Sequence, residues 1–469
     1  YNVKTNQTAY LDIDTKDEHY LTNLSWTPDE KHILVAEVNR GQNHFSYNMY
    51  NVLSGKKVKT LFEEKNDRWV EPEHDAIFIP KSTTDFLWMS ERDGFMNLYL
   101  YSTSGTLKKQ VTNFKYVVKS ILGFDKTGQN VFVSTTGEDG RNTVVLSVNL
   151  KTGKTKQITK TLGTHYAQLS DDGTYLIDNY SNLTTPRKID IVTTKTGKAT
   201  NILTAKNPLA TYNIGTTEFV TLKSNDGFDL YGRIIKPANF DESIKYPVLV
   251  YVYGGTHAQL VTNRWMGGQS LWMSWLATQK DYIVFTVDNR GSGNRGFAFE
   301  SIIHRKAGEA AMEDQLTGVD YLKSLPYVDG NRIAVHGWSY GGFMASSLTL
   351  RHPDVFTVGA AGGPVTDWKY YEVMYGERYM DTPQENPDGY AKSRVGKYLE
   401  NLKGKLLIIH GSVDPTVVPQ HSMTLLQEAV KQKTQIDFFT YPMHEHNVGG
   451  LDRVHLVEKM MQYIVENNK

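Results

Sequence analysis

Cysteine is absent from the 469 residues, which excludes disulfides, thiolate zinc sites, iron–sulfur clusters and cysteine nucleophiles. Charge of one sign is not in excess either: 51 Lys and Arg face 51 Asp and Glu, so the clustered basic surplus of nucleic-acid-binding proteins is missing. No stretch approaches the ~20 consecutive apolar residues of a membrane span; the densest, Pro247 to Tyr253, has the length of a buried strand. Also lacking are an initiator Met, a basic leader and a signal-like apolar segment ahead of Tyr1, and the chain opens inside a strand-and-turn pattern. We expect an N-terminal part to be missing. What is present is a globular composition, 39% hydrophobic, 12% aromatic and 22% charged, with length for roughly two to three domains.

Two rhythms divide the chain. Up to about residue 205 one unit repeats: short alternating strands, a turn carrying Asp, Asn or Gly, and a closing hairpin turn at Gly55, Gly105, Gly153 and Gly197, spaced by 50, 48 and 44 residues. Earlier turns of the unit are Thr27-Pro28-Asp29-Glu30, Asp125-Lys126-Thr127-Gly128 and Asp171-Asp172-Gly173. Units of ~40–50 residues with about four strands are the signature of propeller blades, whereas an antiparallel sandwich shows similar turns but rarely the long period. About four blades are expected, with Lys4-Thr5-Asn6-Gln7 as the closing turn of a fifth. From about residue 218, buried strands at 247–253, 282–287, 333–337 and 406–410 alternate with helices at 309–325, 343–352, 419–431 and 452–467. That alternation predicts a doubly wound, mainly parallel sheet covered on both faces. The expected layout is an incomplete all-β propeller over 1–215 followed by an α/β domain over 216–469.

Chemistry concentrates in the second part. Gly337-Trp338-Ser339-Tyr340-Gly341-Gly342 follows a buried strand and runs into a helix, the context in which Gly-x-Ser-x-Gly forms a nucleophile elbow. A serine hydroxyl needs a base, and the base needs an anion to hold its tautomer. The α/β-hydrolase order then points to Asp414, after the strand ending at His410-Gly411, and to His446, lying 75 and a further 32 residues downstream. His444 competes with His446, and the pair could instead ligate a metal, although no third ligand stands nearby. Asp437 rivals Asp414 but lies inside a strand. The Tyr340 backbone N–H is the expected first oxyanion donor, with the Tyr253 hydroxyl, beside Gly254-Gly255, a candidate for the second. Trp368, Tyr371, Glu372, Tyr375 and Tyr379 fall at offsets 0, 3, 4, 7 and 11, one helical stripe that reads as core or as a pocket wall. A carboxylate among rings is costly without a cation, and a substrate ammonium could supply it. Asn289-Arg290-Gly291-Ser292-Gly293 lacks the spacing and lysine of a phosphate loop.

Residues ~218–469 resemble the prolyl oligopeptidase-type hydrolase domain, and the blades before them resemble the propeller of the dipeptidyl peptidase IV group. Within that group the Ser339 elbow, the segment Trp368 to Arg378, and Tyr441-Pro442 through His446-Asn447-Val448 are most similar to the bacterial prolyl tripeptidyl peptidases. The resemblance implies Ser339 as nucleophile, Asp414 as orienting acid, His446 as base, and an oxyanion hole of Tyr253 and Tyr340. It implies a proline pocket of Tyr340, Val365, Trp368, Tyr371, Tyr375 and Val417, with Glu372 receiving the free α-ammonium. Further acidic residues that hold this ammonium in such families are not placed in this chain. Three departures stand out: dipeptidyl enzymes of the group usually carry an Asn after the acid, where this chain has Asp414-Pro415-Thr416-Val417; they commonly have Asp where this chain has Glu372; and Thr256 replaces a proline frequent after the Gly-Gly turn. The expected activity is release of Xaa-Xaa-Pro tripeptides from unblocked peptides without metal or cofactor; the alternatives are Xaa-Pro dipeptide release or a propeller binding module with an inactive hydrolase fold. Family habit implies a homodimer and a periplasmic or cell-surface setting, with peptides bearing proline near a free N-terminus as partners.

Overall fold

Strands that alternate in polarity and meet at Asp-, Asn- or Gly-bearing turns pair only with their chain neighbours, giving four separate four-stranded meanders. The computed structural model describes all residues 1–469. The meanders comprise His19–Trp26 through Lys57–Lys65, Ile77–Phe78 through Leu107–Gln110, Val118–Phe124 through Thr155–Gln157, and Thr164–Leu169 through Lys198–Thr204. The four closing glycines all take positive φ, as tight hairpin turns require. Asn2 and Gln7 form an isolated antiparallel bridge around the turn at Lys4-Thr5. Each sheet shares an apolar layer with the next in sequence. Phe45 and Tyr47 of the first pack on Phe86 and Trp88 of the second, with the Tyr47 and Trp88 rings 4.6 Å apart. Leu87 and Leu98 then meet Val131 and Val148 of the third, whose Phe132 and Val145 meet Leu176 and Val192 of the fourth. Sheets stacked face to face in chain order are propeller blades.

The chain divides into two units. The blades, with Asn294–Ala298, make the first; Asn182–Pro186, Lys206–Gly293 and Phe299–Lys469 make the second. The second is built on an eight-stranded sheet in the order Thr217–Lys223, Asp229–Ile235, Ile283–Asp288, Tyr246–Tyr251, Val328–Trp338, Val358–Gly362, Lys405–Gly411, Asp437–Tyr441. The first two pairings are antiparallel and the other five parallel. Helices Leu271–Lys280 and Asp452–Asn467 cover one face through Leu276, Met460 and Ile464. Helices Glu309–Ser324, Tyr340–Arg351 and Gln420–Gln432 cover the other through Val319, Leu348 and Leu425. This is an α/β-hydrolase sheet wound on both sides. No helix is long and apolar enough to cross a membrane.

One strand has no sequence signature. Val358–Gly362 reads Val-Gly-Ala-Ala-Gly, without the bulky residues that mark a buried strand. Space explains the composition: a Cβ on Gly359 would lie 2.1 Å from Thr349 Oγ1, and one on Gly362 would lie 1.9 Å from the Trp338 ring.

His336, in the central strand, is buried and faces the Ala360 carbonyl through Nδ1 at 2.8 Å. Burial holds its pKa down to about 4 from the ordinary 6.5. A depressed folded-state value means that the neutral ring favours the folded form above 6.5 and that this contribution is lost as pH falls toward 4. Calorimetry from pH 7 to 4 is expected to show the α/β unit losing of order 3 kcal/mol on this account, and a His336→Gln variant is expected to show a flatter dependence.

Candidate active site

Ser339 sits between the strand Val328–Trp338 and the helix Tyr340–Arg351 at φ 61° and ψ −119°. A positive φ at a non-glycine residue costs ~1–3 kcal/mol and persists only where the surroundings over-determine it. Here they do. The Ser339 amide donates to Gly362 O at 2.8 Å, and its carbonyl accepts from the Phe343 amide at 3.0 Å. A Cβ on Gly337 would lie 2.2 Å from Gly341 O, and one on Gly341 would lie 2.4 Å from Val252 O, so the chain can fold this sharply only with glycine at both places. The turn lifts the serine side chain into a half-exposed position at the carboxyl end of the sheet, and leaves the Tyr340 amide at the head of the helix without a backbone acceptor.

Asp414 follows the strand Lys405–Gly411. Its Oδ1 accepts the Thr416 and Val417 amides at 2.8 and 2.9 Å, and its Oδ2 accepts from His446 Nδ1 at 2.7 Å. His410 Nε2 lies 3.3 Å from the same Oδ2 and 2.7 Å from Val417 O, while its Nδ1 meets Ser422 Oγ at 2.7 Å. Burial pushes the Asp414 carboxyl up, but the hydrogen bonds from His410, His446 and the Val417 amide outweigh it and hold the group well below the usual carboxylate range. An ionised carboxylate can only accept, so His446 carries its proton on Nδ1 and leaves Nε2 free to take another. No hydrogen bond joins His446 to Ser339 in the resting geometry. The base is held from a second direction, because Trp338 Nε1 donates to the His446 carbonyl at 2.9 Å. The rivals are engaged elsewhere: His444 pairs with Asp452 at 2.7 Å, and Asp437 accepts the Tyr463 hydroxyl at 2.6 Å. His444 and His446 therefore do not converge as metal ligands.

The Tyr253 side chain lies near enough to Ser339 for the serine to influence its titration. Burial raises its pKa and the Ser339 contact only partly offsets that, so it remains a protonated donor. Its ring stacks on Tyr340 with centroids 6.3 Å apart. Behind them Tyr340, Val365, Trp368 and Val417 are buried in one cluster, with Tyr371 and Tyr375 half-buried against it. Trp368 lies parallel to Tyr375 at 5.9 Å and edge-on to Tyr371 at 5.7 Å, so flat and perpendicular aromatic walls meet in a slot. All six residues expected to form the pocket are brought together.

The aromatic stripe is not one helix. Trp368–Tyr370 is a single tight turn, the chain is extended at Tyr371 and Glu372, and a helix restarts at Val373–Met380. Glu372 is exposed rather than embedded among rings, and caps that helix by accepting the Met374 and Tyr375 amides at 2.9 and 2.7 Å. The burial argument for a cationic partner therefore falls away, because solvent and two amides already satisfy the carboxylate. Sequence reasoning missed Trp338 and His410 as supports of the base and acid. Only tertiary folding brings Trp338 to a carbonyl 108 residues away. An open groove of the first unit, about 520 Å³ between Asp125, Lys156 and Asp172, has no histidine in its lining.

Residues 269–469 match the prolyl oligopeptidase family, and residues 1–187 match the dipeptidyl peptidase IV N-terminal region. The crystal structure of a "putative dipeptidyl aminopeptidase IV" from Bacteroides ovatus superimposes with a TM-score of 0.97 at 44% identity, covering 100% of this chain and 69% of that one. Porphyromonas gingivalis dipeptidyl peptidase 4 gives 0.91 at 30% identity, covering 100% of this chain and 66% of that one. Mouse dipeptidyl peptidase 8 is 29% identical over 96% of this chain, which spans 57% of that protein's length.

Replacing Trp338 by Phe keeps the ring and removes the donor to His446. We expect kcat for ester or amide hydrolysis to fall about five-fold with KM little changed, the size of one neutral hydrogen bond that orients a base. Steady-state kinetics on both parameters checks this.

Proposed function

Because this chain belongs to the prolyl oligopeptidase family, in its dipeptidyl peptidase IV group, we propose that it forms the catalytic part of a serine exopeptidase that cleaves after proline near a free N-terminus. The observation that carries the reading is the Asp414–His446 pair poised beside a strained Ser339 and an aromatic slot. The pyrrolidine ring of proline is rigid and apolar, and packs against the aromatic wall of Trp368, Tyr371 and Tyr375 at little entropic cost. Ser339 Oγ then attacks the prolyl carbonyl carbon as His446 Nε2 takes the hydroxyl proton. The negative oxygen that develops is met by the Tyr340 N–H and the Tyr253 hydroxyl. Collapse breaks the C–N bond, and His446 returns the proton to the departing amine. Water, deprotonated in turn by His446, releases the acyl group and regenerates the serine. Asp414 stays ionised throughout and stabilises the imidazolium.

The dipeptidyl names of the relatives support release of Xaa-Pro dipeptides. A tripeptide reading is favoured by one feature, the Pro415-Thr416 pair standing where dipeptidyl enzymes of the group usually carry an Asn whose side-chain amide grips substrate; neither side chain here supplies an amide. Glu372 keeps lone pairs toward solvent beyond its two capping bonds and is the proposed receiver of the substrate ammonium.

Reporter release from free Ala-Pro, free Ala-Ala-Pro and N-blocked Ala-Ala-Pro tests the reading on the purified protein. Preference for free Ala-Pro is expected; preference for the free tripeptide would support the second reading, and equal cleavage of the blocked peptide would make the protein an endopeptidase. Ser339→Ala is expected to abolish release, and Tyr253→Phe to lower kcat about 10²- to 10³-fold, the usual loss for one oxyanion donor.

A further inference from the structure

The loop that carries Tyr253 ends on the helix that walls the aromatic slot. Gly254 takes φ +77° with its Cβ position 2.9 Å from Asn289 Oδ1, and the Cβ position of Gly255 lies 2.6 Å from Cγ of the Tyr340 ring. Asn289 Nδ2 also donates to the Gly254 carbonyl at 3.1 Å. At Gly254 and Gly255 the backbone is thus packed too closely against Asn289 and Tyr340 to admit a side chain. Its next two residues reach successive tyrosines one turn apart on the helix Val373–Met380: Thr256 Oγ1 donates to the Tyr375 hydroxyl at 2.8 Å, and His257 Nε2 meets the Tyr379 hydroxyl at 3.1 Å. Tyr375 is the ring that lies parallel to Trp368 and edge-on to Tyr371, at 5.9 and 5.2 Å. A ring entering the slot therefore presses on a side chain that is hydrogen-bonded to the oxyanion loop three residues from its donor.

We propose that Thr256 is a positioning residue that couples occupancy of the aromatic slot to placement of the Tyr253 hydroxyl, and so raises selectivity for proline over smaller residues at the cleavage position. The inference rests on the peptidase reading of the site. A ring that fills the slot fixes Tyr375, Tyr375 fixes Thr256, and the closely packed Gly254-Gly255 link sets Tyr253 over the developing oxyanion. An alanyl residue leaves Tyr375 untouched and gains nothing from the link. Thr256 stands where the resembling group frequently carries proline, which has no side-chain donor.

Valine at 256 conserves shape and removes only the hydroxyl. Steady-state kinetics on matched Xaa-Pro and Xaa-Ala reporters are compared for the wild type, Thr256→Val, Thr256→Ser, Tyr375→Phe and the double variant Thr256→Val/Tyr375→Phe. We expect Thr256→Val to lower kcat/KM for the prolyl reporter about five-fold, mostly in kcat, the size of one hydrogen bond between neutral groups, while the alanyl reporter loses less than two-fold. Thr256→Ser should restore most of the prolyl rate. Addition of Thr256→Val to Tyr375→Phe should have no further effect, since both remove the same bond. An equal loss on both reporters, or fully additive losses in the cycle, would overturn the inference. A wild type that cleaves neither reporter would overturn the peptidase reading and the inference together; a wild type that cleaves both, with variants keeping its Pro-to-Ala ratio, would overturn the inference alone.

Discussion

The left-handed backbone at Ser339 is the constraint on which the α/β unit turns. A serine pays a steric penalty there, so the neighbouring strands must hold it, and they do so through atoms that allow no side chain between them: Val252 O against Gly341, Gly341 O against Gly337, and Gly362 O on the serine amide. Three strands are therefore fixed relative to one another at their carboxyl ends. That anchoring sets the directions of the remaining groups. The Tyr340 amide must point out of the helix head, the Tyr253 loop must pass beside it, and the Trp338 indole, one residue before the serine, must turn toward the loop that bears His446.

The electrostatics of the site are those of hydrogen bonds rather than ion pairs. Asp414 is fully buried, yet no lysine or arginine neutralises it; two amides and two imidazoles supply its stabilisation. The same unit does use ion pairs where rigidity alone is wanted. Arg290 bonds Asp314 at 2.8 Å and also engages Asp226 and Glu313, joining the end of one strand to a helix. A guanidinium beside Asp414 would compete with His446 for the carboxylate and weaken its hold on the imidazole, whereas dipoles leave the negative charge available as the ring becomes cationic.

Much of this architecture is legible in the sequence, and the limits have physical causes. The four blades announce themselves through turn glycines at a steady spacing, because each sheet closes locally. The strands at 247–253 and 406–410 show because both of their faces are buried. The elbow, Asp414 and His446 each lie just after a strand, and that order is linear information. Val358–Gly362 stays hidden because its small residues are dictated by Thr349 and Trp338, which are close only in space. Glu372 is misread for a related reason: the periodicity of Trp368, Tyr371, Tyr375 and Tyr379 spans a break in the helix, and a residue in the break faces solvent and caps the helix that restarts at Val373. Long-range supports, such as Trp338 on His446, carry no local trace at all.

The Trp338 ring occupies the space that any side chain on Gly362 would need. These two positions consequently share one volume, and residue 362 cannot gain a side chain while the indole is in place. A lineage that gains a methyl group at 362 must first shrink residue 338, and with the indole it surrenders the donor that steadies the base; a lineage that keeps the indole is confined to glycine. Across related sequences a side chain at 362 should therefore occur only where residue 338 is smaller than tryptophan.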